Sequence, residues 1–276
     1  MTSEDEFSAV EIRRLSPAIG IEVCGVDLSQ PLVESVIRRI RSAWEDNCVV
    51  VFRGQRLSLT RQMRFASCFG TLEKSDLGPP AVLEVTNVRD SSGRTGILPD
   101  GPIDFHSDQS YLDRPSIATL LYAVDVPAAG GKTLFANGFR AYESLPEEVK
   151  QQLSTQRALH VYDYDTHPQR RPDQPSPNAK RAVHPIFRSH GPTGRLALYV
   201  SRLMTWSILD MEPAQSRQTL DFLFRHQERP ELIYEHDWRA GDVVLWDNRS
   251  CIHARTDFDP GERRRLRRVT VLDDRP

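Results

Sequence analysis

The sequence predicts a mainly β protein with flanking helices, built as a β-sandwich or jelly roll. Short strand-like runs bounded by turn residues recur along the chain, and helical patterns between them are few. No GxGxxG, GxxxxGK or GxSxG occurs, which removes the usual dinucleotide, nucleoside-triphosphate and serine-hydrolase signals. The length of 276 residues, with 39% hydrophobic and 27% charged residues, suits one packed domain over 1–276, within the range all-β folds reach.

The elements follow in order. Val33, Val36, Ile37, Ile40 and Trp44 recur at helical spacing from about Leu32 to Asn47. CVVVF (Cys48 to Phe52) then reads as a buried strand, and Leu59 to Phe69 as a helix with Gly70 at its C′ position. Strand-like runs follow at Val82 to Val88, Ile117 to Val124 and Thr133 to Ala136, and a helical pattern at Ala141 to Ser154. The Pro-rich, charged stretch from Asp163 to Pro185 reads as a long loop, either a lid over a site or a surface insertion. The last third carries RLALYV (Arg195 to Val200), a helix from Pro213 to Gln227, and the runs LIYEHDW, VVLWD and LRRVTVL.

Composition excludes several functions. The formal net charge is −2, so nucleic acid is not an expected partner. No apolar run approaches the roughly 20 residues of a membrane helix, and the acidic start MTSEDEFSAV is unlike a signal peptide; a cytoplasmic protein, forming a homo-oligomer, is the expectation. Cys24, Cys48, Cys68 and Cys251 show no CxxC spacing and read as apolar filler.

The chemistry-bearing candidates are histidines, of which there are eight. HxD or HxE spacing is weak by itself, because two such pairs occur: His106-Ser107-Asp108 and His226-Gln227-Glu228. His226 ends a helical pattern, where residues i and i+2 point about 160° apart. His106 and Asp108 sit before an extended segment, where i and i+2 share a face, so this pair can chelate. A non-haem iron(II) site needs a second imidazole, and His253, presented after VVLWD and a polar turn, is the candidate. Arg264 and Arg268 fall on one face if LRRVTVL is a strand, and two forked donors aimed into a cavity suit a dicarboxylate. Arg263, Arg265 and Arg267 alternate to the other face and read as a solvated strand end.

These residues resemble the iron(II)- and 2-oxoglutarate-dependent dioxygenases of the taurine/2,4-dichlorophenoxyacetate type (TauD/TfdA). The likeness covers VVVFRGQRLS, FHSDQSY, VPAAGGKTLFANGFRAYESLP and GDVVLWDNRSCIHARTDFDPGERRRLRRVTVLDD. It implies a double-stranded β-helix, with His106, Asp108 and His253 as iron ligands and O2 as co-reactant. It implies that Thr133 and Arg264 hold 2-oxoglutarate, and that Arg268 contacts its inner end or the anionic group of a small substrate. The implied reaction oxidises 2-oxoglutarate to succinate and CO2 and hydroxylates an unactivated C–H. Where that carbon bears an ether oxygen or sulfonate, the product breaks apart. Halogenating relatives lack the carboxylate, so Asp108 points to oxygen chemistry. Two positions depart from the pattern: Phe105 stands where most relatives carry Trp, and Pro102 where the taurine enzymes carry Asn, which argues against taurine.

Two rivals make different predictions. A non-catalytic jelly-roll binding protein would show no iron stoichiometry. A zinc hydrolase with the same three ligands gives no reason for Thr133, Arg264 and Arg268.

Overall fold

The computed structural model describes residues 10–75, 78–80, 82–89, 96, 98, 101–163 and 174–273. Its first half contains β1 (Glu11–Arg14), β2 (Ile21–Cys24), α1 (Glu34–Asn47), β3 (Val49–Phe52), α2 (Leu59–Ser67), β4 (Thr71–Leu72), β5 (Lys74–Ser75), β6 (Gly78–Pro80), β7 (Leu83–Thr86), β8 (Ile103–His106), β9 (Ala118–Asp125) and β10 (Thr133–Asn137). There follow α3 (Gly138–Glu143), α4 (Glu147–Leu153), β11 (Arg157–Tyr162), β12 (Lys180–Pro185), β13 (Phe187–Ser189), β14 (Leu196–Leu198), β15 (Thr205–Ile208) and α5 (Pro213–Gln227). The chain closes with β16 (Ile233–His236), β17 (Val243–Asp247), β18 (Cys251–Arg255) and β19 (Arg265–Leu272).

A large sheet runs in the order β1-β2-β3-β17-β9-β19-β4, with β7 also paired to β19, and a smaller one in the order β16-β10-β18-β8. The fold is the double-stranded β-helix, or jelly roll, that the sequence predicts. The larger sheet is buried on both faces, and this explains why its central strands read as continuous apolar runs instead of alternating ones. On β3, Val50 and Phe52 face a core formed with Ile40, Trp44 and Phe65, whereas Val49 and Val51 face Phe135 and Trp246 on the opposite side. On β17, Val243 and Leu245 join the first core, and Val244 and Trp246 the second. α1 covers the first core with Val36, Ile40 and Trp44. Trp44 has no exposed surface, and truncating it to Ala would cost roughly 3–5 kcal/mol. A third core packs α3, α4 and α5 on β14 and β15 through Ala141, Leu153, Leu198, Ile208 and Leu223.

The structure corrects four readings. The helix expected over Ala141 to Ser154 is two, α3 and α4, parted at Ser144 to Pro146, because Pro146 cannot continue the first and starts the second. α2 ends at Ser67, so Gly70 is not its C′ residue; Ser58 caps its start by accepting from the Arg61 N–H. The expected loop over Asp163 to Pro185 ends in a strand, since β12 pairs along β11 from Tyr162↔Lys180 to Arg157↔Pro185. Residues 164–173 lie outside the described residues. Arg267 is not solvated: it is 9% exposed, lies over the Tyr122 ring and donates to the Leu57 carbonyl at 2.6 Å, while Arg263 and Arg265 pair at the surface with Asp125 and Glu84. No helix among the described residues is long and apolar enough to cross a membrane.

Candidate metal and 2-oxoglutarate site

His253 and His106 are register partners on neighbouring strands of the smaller sheet, with ring centroids 4.1 Å apart. Asp108 comes from a turn, not from an extended segment: His106 is the last residue of β8, and Gln109, just beyond Asp108, adopts a left-handed φ of 57°. The turn does what extended alternation was expected to do. It places Asp108 Oδ1 3.8 Å from His106 Nε2 and 3.9 Å from His253 Nε2. One donor atom from each of the three residues lies within 4.8 Å of the others.

The chemistry of these donors fits a divalent transition metal. His106 Nδ1 donates to the Asp104 carbonyl at 2.9 Å, so its Nε2 offers a lone pair to the cluster. Burial, then the neighbouring His106, pushes the His253 pKa down to about 3, and burial likewise lowers that of His106, so both imidazoles are neutral near pH 7. Burial works to raise the Asp108 carboxyl. Arg268, His253, His106 and the Thr119 hydroxyl outweigh it and hold the carboxyl below its ordinary value. The result is two neutral nitrogen donors and one anionic oxygen donor on one side of a buried space.

Asp108 also joins the two sheets. Its Oδ2 accepts from Thr119 Oγ1 on β9 at 2.6 Å and lies 3.1 Å from Arg268 Nη2 on β19. A directed chain stands behind it. Trp246 Nε1 donates to Asn248 Oδ1 at 2.8 Å, Asn248 Nδ2 donates to Thr119 Oγ1 at 3.0 Å, and Thr119 Oγ1 in turn donates to Asp108 Oδ2. The Trp246 ring packs 4.6 Å from the His253 ring, so one network supports both a carboxylate and an imidazole of the cluster. Ser107 Oγ ties the turn down by donating to the Asn248 carbonyl at 2.6 Å.

Thr133 lies on β10, which pairs with β18, the strand that carries His253, and Arg264 lies just before β19. The Thr133 hydroxyl accepts from Trp238 Nε1 at 3.0 Å, which leaves its own proton to give. Arg264 is 2% exposed; its Nη2 donates to the Gly131 carbonyl at 3.3 Å, and its Nη1 is buried without a hydrogen-bond partner. Burial, then Arg255, pulls its pKa down to about 9. The paired glycines make this approach possible. Gly131 has φ 62°, and a Cβ there would lie 3.2 Å from Arg264 Nε; at Gly130, φ 74°, a Cβ would strike the Asp257 carbonyl. A buried guanidinium with an unmade hydrogen bond is a receptor for a carboxylate.

Of the six residues singled out in the sequence, His106, Asp108 and His253 converge, Arg268 joins them through Asp108, and Thr133 and Arg264 stand on β10 and just before β19. Four supporting residues escaped the sequence reading. Thr119, Trp246 and Trp238 sat inside strand-like runs and were given no role of their own, and Asn248 read as part of a polar turn. The signal for Asn248 was a polar residue directly after a buried strand. The remaining HxE pair is structural: His226 Nε2 donates to the Ala141 carbonyl at 2.8 Å, and Glu228 pairs with Arg202.

Comparison with known proteins agrees with this geometry. The family described as "Taurine catabolism dioxygenase TauD, TfdA family" matches residues 11–270. Pentalenolactone F synthase of Streptomyces avermitilis is 33% identical over 97% of this chain and 96% of its own. The alpha-ketoglutarate-dependent 2,4-dichlorophenoxyacetate dioxygenase of Cupriavidus pinatubonensis is 31% identical over 94% of this chain and 96% of its own. The crystal structure of AAD-2 in complex with Mn(II) and N-oxalylglycine superposes with a TM-score of 0.81 at 29% identity, covering 97% of this chain and 98% of that one. The chain belongs to the TauD/TfdA family and is an alpha-ketoglutarate-dependent dioxygenase.

Proposed function

We propose that this enzyme uses iron(II), held by His106, Asp108 and His253, to hydroxylate a small anionic organic substrate, with C–O or C–S cleavage following where the hydroxylated carbon carries a leaving group. The observation that carries it is the convergence of two neutral imidazoles and one carboxylate beside a buried, incompletely paired guanidinium. The 2,4-dichlorophenoxyacetate relative supports an anionic substrate. When bound, the metal with 2-oxoglutarate and O2 supplies the oxidising power for attack on an unactivated C–H.

The protein's own residues do the rest. Thr133 donates its hydroxyl proton to a carboxylate of 2-oxoglutarate, and Trp238 keeps that hydroxyl turned the right way. Arg264 binds the far carboxylate, whose charge satisfies the buried guanidinium. Arg268 holds Asp108 ionised and presents a second charge toward the inner end of the cosubstrate or the substrate's anion. Phe135, a register partner of His253 on β10, walls the imidazole from the opposite side and helps exclude water. We take the chain to act as a single catalytic unit, in the cytoplasm and as a homo-oligomer; its four free cysteines suit a reducing compartment.

Anaerobic addition of iron(II) and 2-oxoglutarate should produce the weak visible band of their chelate, and His106→Ala or Asp108→Ala should abolish it. Succinate release against a panel of carboxylates, sulfonates, sulfates and phosphonates then identifies the substrate. No band and no 2-oxoglutarate decarboxylation with any substrate would overturn the reading.

A further inference from the structure

The turn that presents Asp108 holds a residue in a conformation it does not favour. The Ser110 N–H bonds to the Ser107 carbonyl at 3.4 Å and closes four residues, with Asp108 and Gln109 at the centre. Gln109 has a φ of 57°, in the left-handed region. A turn with positive φ at its third residue normally carries Gly or Asn there. Gln has a Cβ that crowds the backbone in this region and lacks the short polar side chain that lets Asn tolerate it. Such a residue stays left-handed only where its surroundings hold it.

Two hydrogen bonds do so. The Leu112 N–H bonds to the Gln109 carbonyl at 2.9 Å, and Gln109 Nε2 donates to Glu73 Oε1 at 2.7 Å. The other end of the amide, Oε1, is buried with no hydrogen-bond partner, so the donor end fastens the side chain. Glu73 is fixed in turn: its N–H donates at 3.0 Å to the carbonyl of Thr270, on β19 two positions beyond Arg268. One strand therefore reaches Asp108 twice, at the carboxylate through Arg268 and at the backbone through Glu73 and Gln109. We propose that Gln109 and Glu73 are positioning residues for the metal: their hydrogen bond keeps residue 109 left-handed, and that conformation aims Asp108 Oδ1 toward His106 and His253; this rests on the reading that those three residues hold the metal. A merely local hydrogen bond would leave metal affinity unchanged when it is cut. A role through the Glu73 charge would not depend on what stands at 109. Positioning through the backbone predicts instead that Glu73 is needed only while residue 109 is not glycine.

The probe is Mn(II) alone, titrated calorimetrically into the full-length protein and its variants, each shown by a thermal melt to be folded at the assay temperature. Gln109→Ala removes the tether and keeps the Cβ; it should weaken Mn(II) binding about tenfold, the low end for residues that orient metal ligands. Gln109→Gly removes the tether too but adopts positive φ freely, and should recover most of that loss. Glu73→Ala should weaken Mn(II) about as much as Gln109→Ala. Glu73→Gln keeps a carbonyl oxygen for the Gln109 amide and drops the charge, and should stay near wild type. Glu73→Ala added to Gln109→Gly should bring no further loss. Wild-type affinity in Gln109→Ala, a Gln109→Gly as weak as Gln109→Ala, or an equal loss from Glu73→Ala in both backgrounds overturns the positioning role and leaves the site reading intact. A wild type that binds no Mn(II) overturns the site reading, and the positioning role with it. Should Gln109→Ala not fold, the two Glu73→Ala measurements, with and without Gln109→Gly, decide the matter.

Discussion

Two of the buried Asp–His clusters among the described residues have similar composition and opposite character. At Asp247, His190 Nε2 lies 3.0 Å from Oδ2, its Nδ1 lies 2.8 Å from the Thr193 hydroxyl, and Arg249 grips both carboxylate oxygens. Both carboxylate oxygens and both imidazole nitrogens there are used within the chain. At Asp108, the Oδ2 side is equally well partnered, by Thr119 and Arg268, but Oδ1 and the two Nε2 atoms stand 3.8 and 3.9 Å apart, too far to hydrogen-bond. A chelating cluster here is a buried polar network with one side left open and the other side fastened. Histidine next to aspartate is not the distinguishing mark; the open side is.

The comparison predicts a crossed result. Asp247→Asn leaves Arg249, 6% exposed, and His190 without their carboxylate, and should cost roughly 3–5 kcal/mol of stability while the folded fraction still binds metal. Asp108→Asn should abolish high-affinity Mn(II) binding with a small change in stability beside it, because Arg268, 23% exposed, can turn to water. Thermal melts and calorimetric Mn(II) titrations on both variants read this out. If Asp247→Asn loses metal and keeps its stability, the division into locked and open clusters is wrong.

Acid titration sharpens the same contrast. Burial works to raise the Asp247 carboxyl, but Arg249, with hydrogen bonds from Arg249 and His190, holds its pKa at about 2. A carboxyl depressed in the folded state binds fewer protons there than in the unfolded chain. Its stabilisation is therefore fully present above the ordinary carboxylate value and lost as pH falls toward about 2, a contribution of about 2 kcal/mol. Chemical denaturation between about pH 5 and pH 2 should show this slope in wild type and a shallower one in Asp247→Asn. Equal slopes would mean that Asp247 is not held ionised by Arg249.

Much of this was legible in the chain. The runs VVVF and VVLWD read as buried strands because apolar residues without alternation fit a sheet covered on both faces. α5 was read at its ends because Pro213 can begin a helix and cannot lie inside one. Arg268 lies on β19, but Arg264 precedes its first residue and the register shifts between Arg265 and Leu266, so strand parity does not relate the two as expected. What else failed depended on contacts remote in sequence. Arg267 looked solvated, since nothing local announces Tyr122 and Leu57. Asp108 was assigned an extended setting, since a single left-handed residue, Gln109, makes the turn and Gln carries no such signal. Thr119 went unremarked because a hydroxyl in a strand gains meaning only from its partner on another element, and Trp238, just beyond β16, because its indole N–H finds Thr133 on the neighbouring strand.

The support behind Asp108 is where the open cluster is held in place, and weakening it should cost less than removing a ligand. Asn248→Ala breaks the chain from Trp246 to Thr119, and Thr119→Val removes its last link. Each should reduce Mn(II) affinity by roughly 10–100-fold, the usual range for partners that orient metal ligands. A double variant no worse than either single one would identify a single connected chain; strictly additive losses would mean the two residues act independently.

The smallest expected effect falls on the cosubstrate side. Trp238→Phe keeps the ring against His236 and deletes only the N–H that Thr133 accepts. The Thr133 hydroxyl then turns freely, and part of the population donates away from the carboxylate. One neutral hydrogen bond is worth about 1 kcal/mol, so 2-oxoglutarate binding to the Mn(II)-loaded protein should weaken roughly fivefold, with Mn(II) affinity unchanged. Thr133→Val should weaken 2-oxoglutarate at least as much, and adding Trp238→Phe to it should bring no further loss, since the indole then has no hydroxyl to orient. A further loss in the double variant would show that Trp238 supports the site by packing alone, and the distinction between a residue that fills the core and one that directs a proton would have to be redrawn at this position.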